Sequence, residues 1–277
     1  MLGLLSILIA SPPGAIVVRH DRPDQRYLEL GARYSAVGRV GPRLGDGTLI
    51  GPRWVLTAAH VAAGLMRRSP TPAVWFGDEE YRVVRAYIHP QWVDLGPHDV
   101  AVLELARPVS GVTPLGMYEG AGELHQEAIL VGHGATGSGD SRERREDGRK
   151  RGATNRIDRA DSLHLVFHFD APPGGTDLEG IPGAGDSGGP ALLIVGGRPM
   201  VAGVSSAGEP GRGGPGTYGA NDYFTRVSTH AAWVRGTERP GTGSGARRLP
   251  SRWRSGGRNH SRFSGGPPRE SPCRTPL

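Results

Sequence analysis

Residues Ile181 to Leu193 read I-P-G-A-G-D-S-G-G-P-A-L-L. One serine, Ser187, stands beside one aspartate and among four glycines, and an apolar run follows. Glycine at this density permits a tight turn, and the run Ala191 to Val195 predicts a strand after it. A free serine hydroxyl is a weak nucleophile, so chemistry at Ser187 needs a base supplied from elsewhere in the chain.

The 277 residues are 36% hydrophobic and 22% charged, enough for one globular unit with a proper core. Forty-five Gly and 24 Pro interrupt the apolar segments too often for long helices, so the chain reads as all-β. Leu163, Leu165, Phe167 and Phe169 alternate with His164, Val166 and His168, the period of a half-buried strand. Further strands are expected at Thr48 to Val55, Glu80 to Ile88, Val100 to Leu105, Ala128 to Val131, Val201 to Ser205 and Tyr223 to Val227. Pro23 and the Tyr27, Leu28, Leu30 spacing predict one short helix, and Thr229 to Val234 another. Ser138 to Asn155 is mixed in charge and reads as an exposed hairpin or loop.

The formal charge of +6 is concentrated at one end. From Glu238 onward nine Arg against two Glu give +7, which leaves −1 for residues 1 to 237. This tail is rich in Gly, Ser, Pro and Arg without an apolar period, so residues 238–277 are expected to be a disordered, solvated appendage, and no nucleic acid is expected as partner. Residues 1–15 resemble a signal peptide that lacks its basic start, with no span of the mature chain across a membrane, so a secreted or periplasmic location is expected. The single cysteine, Cys273, excludes a disulfide within this sequence.

Three segments belong together. W-V-L-T-A-A-H ends at His60, H-D-V-A-V-L-E-L carries Asp99, and G-D-S-G-G-P carries Ser187. They supply a nucleophile, a base, and a carboxylate to fix the tautomer of that base. In this order they resemble the chymotrypsin/trypsin-fold serine peptidases, over roughly residues 16–236, and the lack of disulfides is shared with some bacterial members.

The resemblance implies two six-stranded antiparallel barrels, about 27–114 and 124–234, within a peptidase domain of residues 16–237, with the triad in the cleft between them. It implies serine endopeptidase activity on polypeptides through an acyl-enzyme, with no cofactor and no metal. Ser187 is then the nucleophile, His60 the general base and acid, and Asp99 the orienting carboxylate. The N–H groups of Gly185 and Ser187 form the oxyanion hole, and Ser206 supports Asp99. Ser206, Ala207 and Gly208 pair with an extended substrate. Ile181 occupies the floor of the primary pocket and Asp222 its wall, unless the Gly-rich register slips and Gly219 takes that place. A new amino terminus at Ile16 would pair with Asp186.

Other readings are weaker. Asp94 is a rival carboxylate without the V-A-V-L strand after it. Gly132 to Gly137, G-H-G-A-T-G, has no following helix for a dinucleotide, and His164 with His168 lacks the glutamate of a zinc-peptidase motif. A catalytically silent binding protein on the same scaffold is the main functional alternative, and an esterase is a third. The order His, Asp, Ser argues against an α/β-hydrolase, in which the histidine comes last.

Overall fold

Short apolar runs punctuated by glycine and proline become strands that close on themselves twice. The computed structural model describes residues 13–14, 16–94, 96–238 and 247–248. The first six strands are β1 (Val37–Val40), β2 (Gly45–Gly51), β3 (Trp54–Thr57), β4 (Ala73–Phe76), β5 (Glu79–Ile88) and β6 (Ala101–Leu105). They pair antiparallel in the order β1–β2–β3–β6–β5–β4 and return to β1. The second six are β7 (Glu127–Gly132), β8 (Arg151–Ala160), β9 (His164–His168), β10 (Pro190–Val195), β11 (Arg198–Glu209) and β12 (Asn221–Arg226). Their order, β7–β8–β9–β12–β11–β10 and back to β7, repeats the first winding. Closure satisfies both edges of each sheet, as the all-β expectation requires.

The barrels share a core. The cluster around Leu49, Val55 and Leu103 continues into Val131, Leu192, Val201 and Val204 of the second barrel. A separate cluster fills the second barrel, where Phe167 and Phe224 meet edge to face with centroids 4.9 Å apart. Shared packing of this kind holds the two barrels in one geometry.

Three helices accompany the barrels. Helix α1 (Asp24–Ala32) starts after Pro23 and buries Tyr27 and Leu30, as the spacing predicts. Helix α3 (Val227–Glu238) contains the expected Thr229 to Val234 and extends beyond it at both ends. Helix α2 (Ala59–Arg68) is not foreseen by the sequence reading, although its alanines favour helix and Arg67 and Arg68 complement the dipole in its last turn. It buries Val61 and Leu65 against the first barrel.

The expectation of an exposed loop over Ser138 to Asn155 is corrected at its end. Residues 151–155 begin β8, and the Arg151 side chain is fully buried. Its guanidinium donates to Asp24 at 2.7 and 2.8 Å and to Asp147 at 2.9 and 2.7 Å. Two bidentate carboxylates, one of them on α1, allow a charge to be buried that a local reading assigns to solvent.

Several expectations fall on the chain ends. Pro13–Gly14 pairs in parallel with Ala184–Gly185, and Arg247–Arg248 pairs antiparallel with Tyr87 and Ile88. The rest of the proposed signal segment, the rest of the tail after Glu238, and Cys273 lie outside the described residues. No helix among the described residues is long and apolar enough to cross a membrane.

One buried acid near α1 sets a pH dependence. Glu179 is 1% exposed, and its carboxylate accepts the Thr176 N–H and hydroxyl, each at 2.7 Å. Burial nevertheless outweighs these bonds and pushes it up from 4.5 to about 7. Because the folded value lies above the ordinary one, its contribution to stability is full below about pH 4.5 and is lost as pH rises through about 7. The shift corresponds to about 3 kcal/mol. Glu179→Gln should flatten the slope of unfolding free energy between pH 5 and 7, as read from denaturant titrations at several pH values.

Candidate active site

The site begins at the junction of β3 and α2. Ala58 is extended and provides no side-chain cap, so the first amides of α2 need acceptors from outside the helix. His60 sits in that first turn, and Asp99, arriving just before β6, supplies the acceptor. Asp99 Oδ1 accepts the His60 amide at 2.9 Å, and Oδ2 accepts the ring Nδ1–H at 2.6 Å. The Ser206 hydroxyl donates to the same Oδ2 at 2.7 Å, and the Thr225 hydroxyl donates to the Asp99 carbonyl at 3.0 Å. The Asp99 side chain is 6% exposed while the His60 ring is 33% exposed. A carboxylate accepting at Nδ1 keeps the proton there and leaves the Nε2 lone pair free.

Ser187 lies in a turn held by both barrels. Its carbonyl accepts the Asp46 amide of β2 at 2.8 Å, and the next residue, Gly188, donates to the Ser205 carbonyl of β11 at 2.8 Å. Gly185 and Gly188 have φ of 101° and 83°, a region that favours glycine. A Cβ at Gly188 would fall on Thr57 Oγ1 and 3.0 Å from the Ala58 amide, so the turn rests against the entry to α2. Ser187 is half-buried and makes no hydrogen bond to His60 in this structure. Nucleophile and base contacts are commonly loose without substrate and tighten in the complex.

The flanking strand is open beside it. Strand β10 pairs with β11 only as far as Pro190 opposite Val204, with Ser205 then bonded to Gly189. Beyond that point Ser206, Ala207 and Gly208 are flanked by β12 alone among the described strands. Gly208 stands opposite Asp222, whose Oδ2 would be 3.1 Å from a Cβ at Gly208. This register sets Asp222 across from Gly208, with Gly219 in the preceding turn at φ of 85°. Burial pushes the Asp222 carboxyl well above its ordinary value, and it has no ion pair among the described residues. Ile181 is fully buried and pairs with Val17.

A second Asp–His pair lies behind the turn, and the sequence reading does not anticipate it. Asp46 is fully buried; its carboxylate accepts the His133 amide at 2.9 Å and the His133 Nδ1–H at 2.6 Å. Asp186 is beside it and accepts the amides of Gly134 and Gly183 at 3.1 and 3.0 Å. Burial first, and then the Asp46 charge, push Asp186 well above the usual carboxylate range. Ile16 is 1% exposed, and its carbonyl accepts the Thr136 hydroxyl at 3.0 Å. Val17 pairs with Gly137 on one side and Ile181 on the other.

The rival residues stand elsewhere. Asp94 is exposed, and Asp99 makes both contacts to His60. His164 approaches Asp161, and His168 bonds Asn221, so the two do not share a ligand. His133 of G-H-G-A-T-G belongs to the buried pair with Asp46.

The two closed antiparallel barrels carry a His–Asp unit on one and a glycine-bounded serine turn on the other. The Trypsin family model matches residues 32–234, and the chain belongs to that family of serine proteases. Among solved structures, the chain is similar to neuropsin, a serine protease expressed in the limbic system of mouse brain. The identity is 19%, the match covers 80% of this chain and 99% of that one, and the TM-score is 0.58, a likeness of fold.

Proposed function

We propose that residues 16–237 form a serine endopeptidase domain that cleaves polypeptides through an acyl-enzyme, and that the protein is secreted or periplasmic. The observation that carries this reading is the single hydrogen-bonded unit Ser206–Asp99–His60, with the Ser187 turn resting against the entry to α2. In the proposed reaction His60 Nε2 takes the proton of Ser187 as Oγ bonds to the scissile carbonyl carbon. The carbonyl oxygen becomes an oxyanion facing the N–H groups of Gly185 and Ser187. His60 then returns the proton to the leaving amine as the C–N bond breaks, and water repeats the sequence to free the acid and restore Ser187. An extended substrate adds as a strand along Ser206 to Gly208, whose open edge lies beside Ser187.

The test is covalent. Protein beginning at Ile16 is incubated with a fluorophosphonate and digested, and the adduct is located by mass spectrometry. The expected site is Ser187; absence of label there in folded protein defeats the proposal and leaves the silent binding scaffold.

Pocket chemistry supports a mixed preference. Ile181 makes the floor apolar, while Asp222 is a buried carboxylate without a cation, which a lysine or arginine side chain of the substrate would supply. Asp222→Asn should lower kcat/KM for substrates with Lys or Arg before the cleaved bond by about 30- to 100-fold, equivalent to roughly 2 to 3 kcal/mol. Substrates with Leu or Phe there should change little. Since the carboxyl is raised, its ionised fraction falls as pH falls, so the preference for basic residues should weaken on acidification. Cleavage profiles of a peptide library at two pH values measure both effects.

A further inference from the structure

Three histidines from separate parts of the chain meet next to the triad carboxylate. His89 follows β5, His98 immediately precedes Asp99, and His230 lies in the first turn of α3. One ring nitrogen from each lies within 4.8 Å of those of the other two. His98 Nδ1 and His230 Nε2 are 3.0 Å apart, and the His89 and His98 rings stack with centroids 4.9 Å apart. His89 and His230 are buried, and His98 is partly exposed, which leaves a way in from solvent.

We propose that His89, His98 and His230 form a binding site for a divalent transition metal of the zinc class, and that its occupancy slows the peptidase through the His98–Asp99 peptide. The binding claim stands by itself; the effect on rate rests on the peptidase reading.

The donor set fits this class of ion. Imidazole suits zinc, copper and nickel, whereas calcium and magnesium require oxygen. Zinc bound by nitrogen at about 2.0 to 2.1 Å in tetrahedral geometry places its ligand atoms about 3.3 Å apart. The pair at 3.0 Å is already near that separation, while the His89 ring, stacked on His98 at an interplanar angle of 9°, must turn out of the stack to aim a nitrogen at the ion. His230 Nδ1–H donates to the Arg226 carbonyl at 2.8 Å, which fixes the tautomer and turns the Nε2 lone pair toward His98. Orientation by a backbone carbonyl is the usual outer support of a metal-bound histidine. Among the described residues no carboxylate bonds to any of the three rings. Among the described residues the polar contact of the His89 ring is the Gln91 amide, which donates to Nδ1 at 3.4 Å, long enough to give way. A fourth position remains for water.

Coupling follows from chain connectivity. His98 has φ of 62°, an uncommon value for a residue with a side chain, and its carbonyl accepts the Val100 amide at 2.8 Å. Rotation of its ring onto a metal therefore acts on a constrained backbone, one peptide bond from the carboxylate that orients His60. Trp233 packs against His89 with centroids 4.8 Å apart, and its buried Nε1–H has no hydrogen-bond partner among the described residues. Its fluorescence gives a readout independent of catalysis.

Zinc(II) is the probe, applied to the full chain and to protein beginning at Ile16, with Ser187→Ala used for binding so that self-cleavage does not interfere. Equilibrium dialysis should find one zinc in the cluster, with weakening of at least about tenfold in His98→Gln and in His230→Gln. Tryptophan emission should change on zinc addition and lose that response in both variants, whose folding is checked by circular dichroism without metal. Crystals of the protein without cluster substitutions, soaked in zinc, provide a second measure that needs no variant. An anomalous peak at coordinating distance from all three rings is expected. No binding, binding unchanged in both folded variants, or a peak at His60 or elsewhere instead overturns the site. Zinc in the cluster with an unchanged peptide-cleavage rate overturns the coupling alone. A chain with no peptidase activity fails the function reading, while dialysis and diffraction still decide the site.

Discussion

Asp99→Asn should reduce kcat on a peptide substrate by about 10⁴-fold while the protein stays folded. An asparagine can still accept the His60 amide through its carbonyl oxygen, so the first turn of α2 keeps its external cap. Its NH₂ group then faces His60 Nδ1 and can only donate. The ring must accept there, its proton moves to Nε2, and the base can no longer take the proton of Ser187. The Ser206 hydroxyl, which donates to Asp99 Oδ2 at 2.7 Å, can rotate to suit the change. Activity assays beside thermal unfolding separate the two consequences. A loss below tenfold in a folded variant would show that Asp99 does not set the tautomer of His60, and a loss accompanied by unfolding would assign it a structural role instead.

Asp186→Asn in protein beginning at Ile16 should cost about 10²- to 10³-fold in kcat/KM, and the chain that retains residues 1–15 should be nearly inactive before any substitution. Two observations support the proposed pairing with a new amino terminus. Asp186 is buried beside Asp46 and, among the described residues, its carboxylate has two amide donors and no cation. Ile16 and Val17 are already buried, with Val17 pairing with Gly137 on one side and Ile181 on the other. Upstream, Pro13–Gly14 occupies the edge of Ala184–Gly185, the strand that carries one oxyanion-hole amide in the proposed mechanism. Cutting after Ala15 would release that edge and create an ammonium at Ile16. Breaking a buried ion pair by removing one partner costs about 3 to 5 kcal/mol, which is the source of the expected loss.

The pH dependence has the same sign in the two forms but falls in different pH ranges. In the uncut chain Asp186 has a raised carboxyl, so its contribution to stability is full below the ordinary carboxylate value and is lost as pH rises through the raised one. In the cut chain the paired ammonium is the raised group relative to an ordinary value of about 7.7 to 8.0. Its contribution is present below that range and is lost as pH rises through the folded value. Unfolding temperatures across pH, with amino-terminal sequencing of each sample, measure both. Full activity in protein still carrying residues 1–15 eliminates the mechanism.

Legibility of the fold and site followed the range of the interactions. T-A-A-H, H-D-V-A-V-L-E-L and G-D-S-G-G-P could be read because each joins a chemical group to its local backbone device: a strand leading to a histidine, an aspartate before a strand, a serine between glycines. The alternation around Leu165 and Phe167 likewise announces β9, since strand period is a local property. Helix α2 was hidden because its alanines follow the histidine motif directly and only four residues of strand precede them. The four-residue strands β1 and β4 were too short for a period to show.

The amino-acid order by itself determined the β class, the residue types of the proposed triad and the glycine-bounded turn at Ser187, because each depends on residues adjacent in the chain. Tertiary structure decided what Arg151, Asp46, His133 and the three histidines do. Arg151 meets Asp24 across 127 positions, His133 meets Asp46 across 87, and His98 meets His230 across 132. A lone charged or imidazole side chain reads as solvated when only its neighbours in sequence are considered. Burial becomes tolerable once a distant partner neutralises or hydrogen-bonds it, and those partners come together only when both barrels have closed.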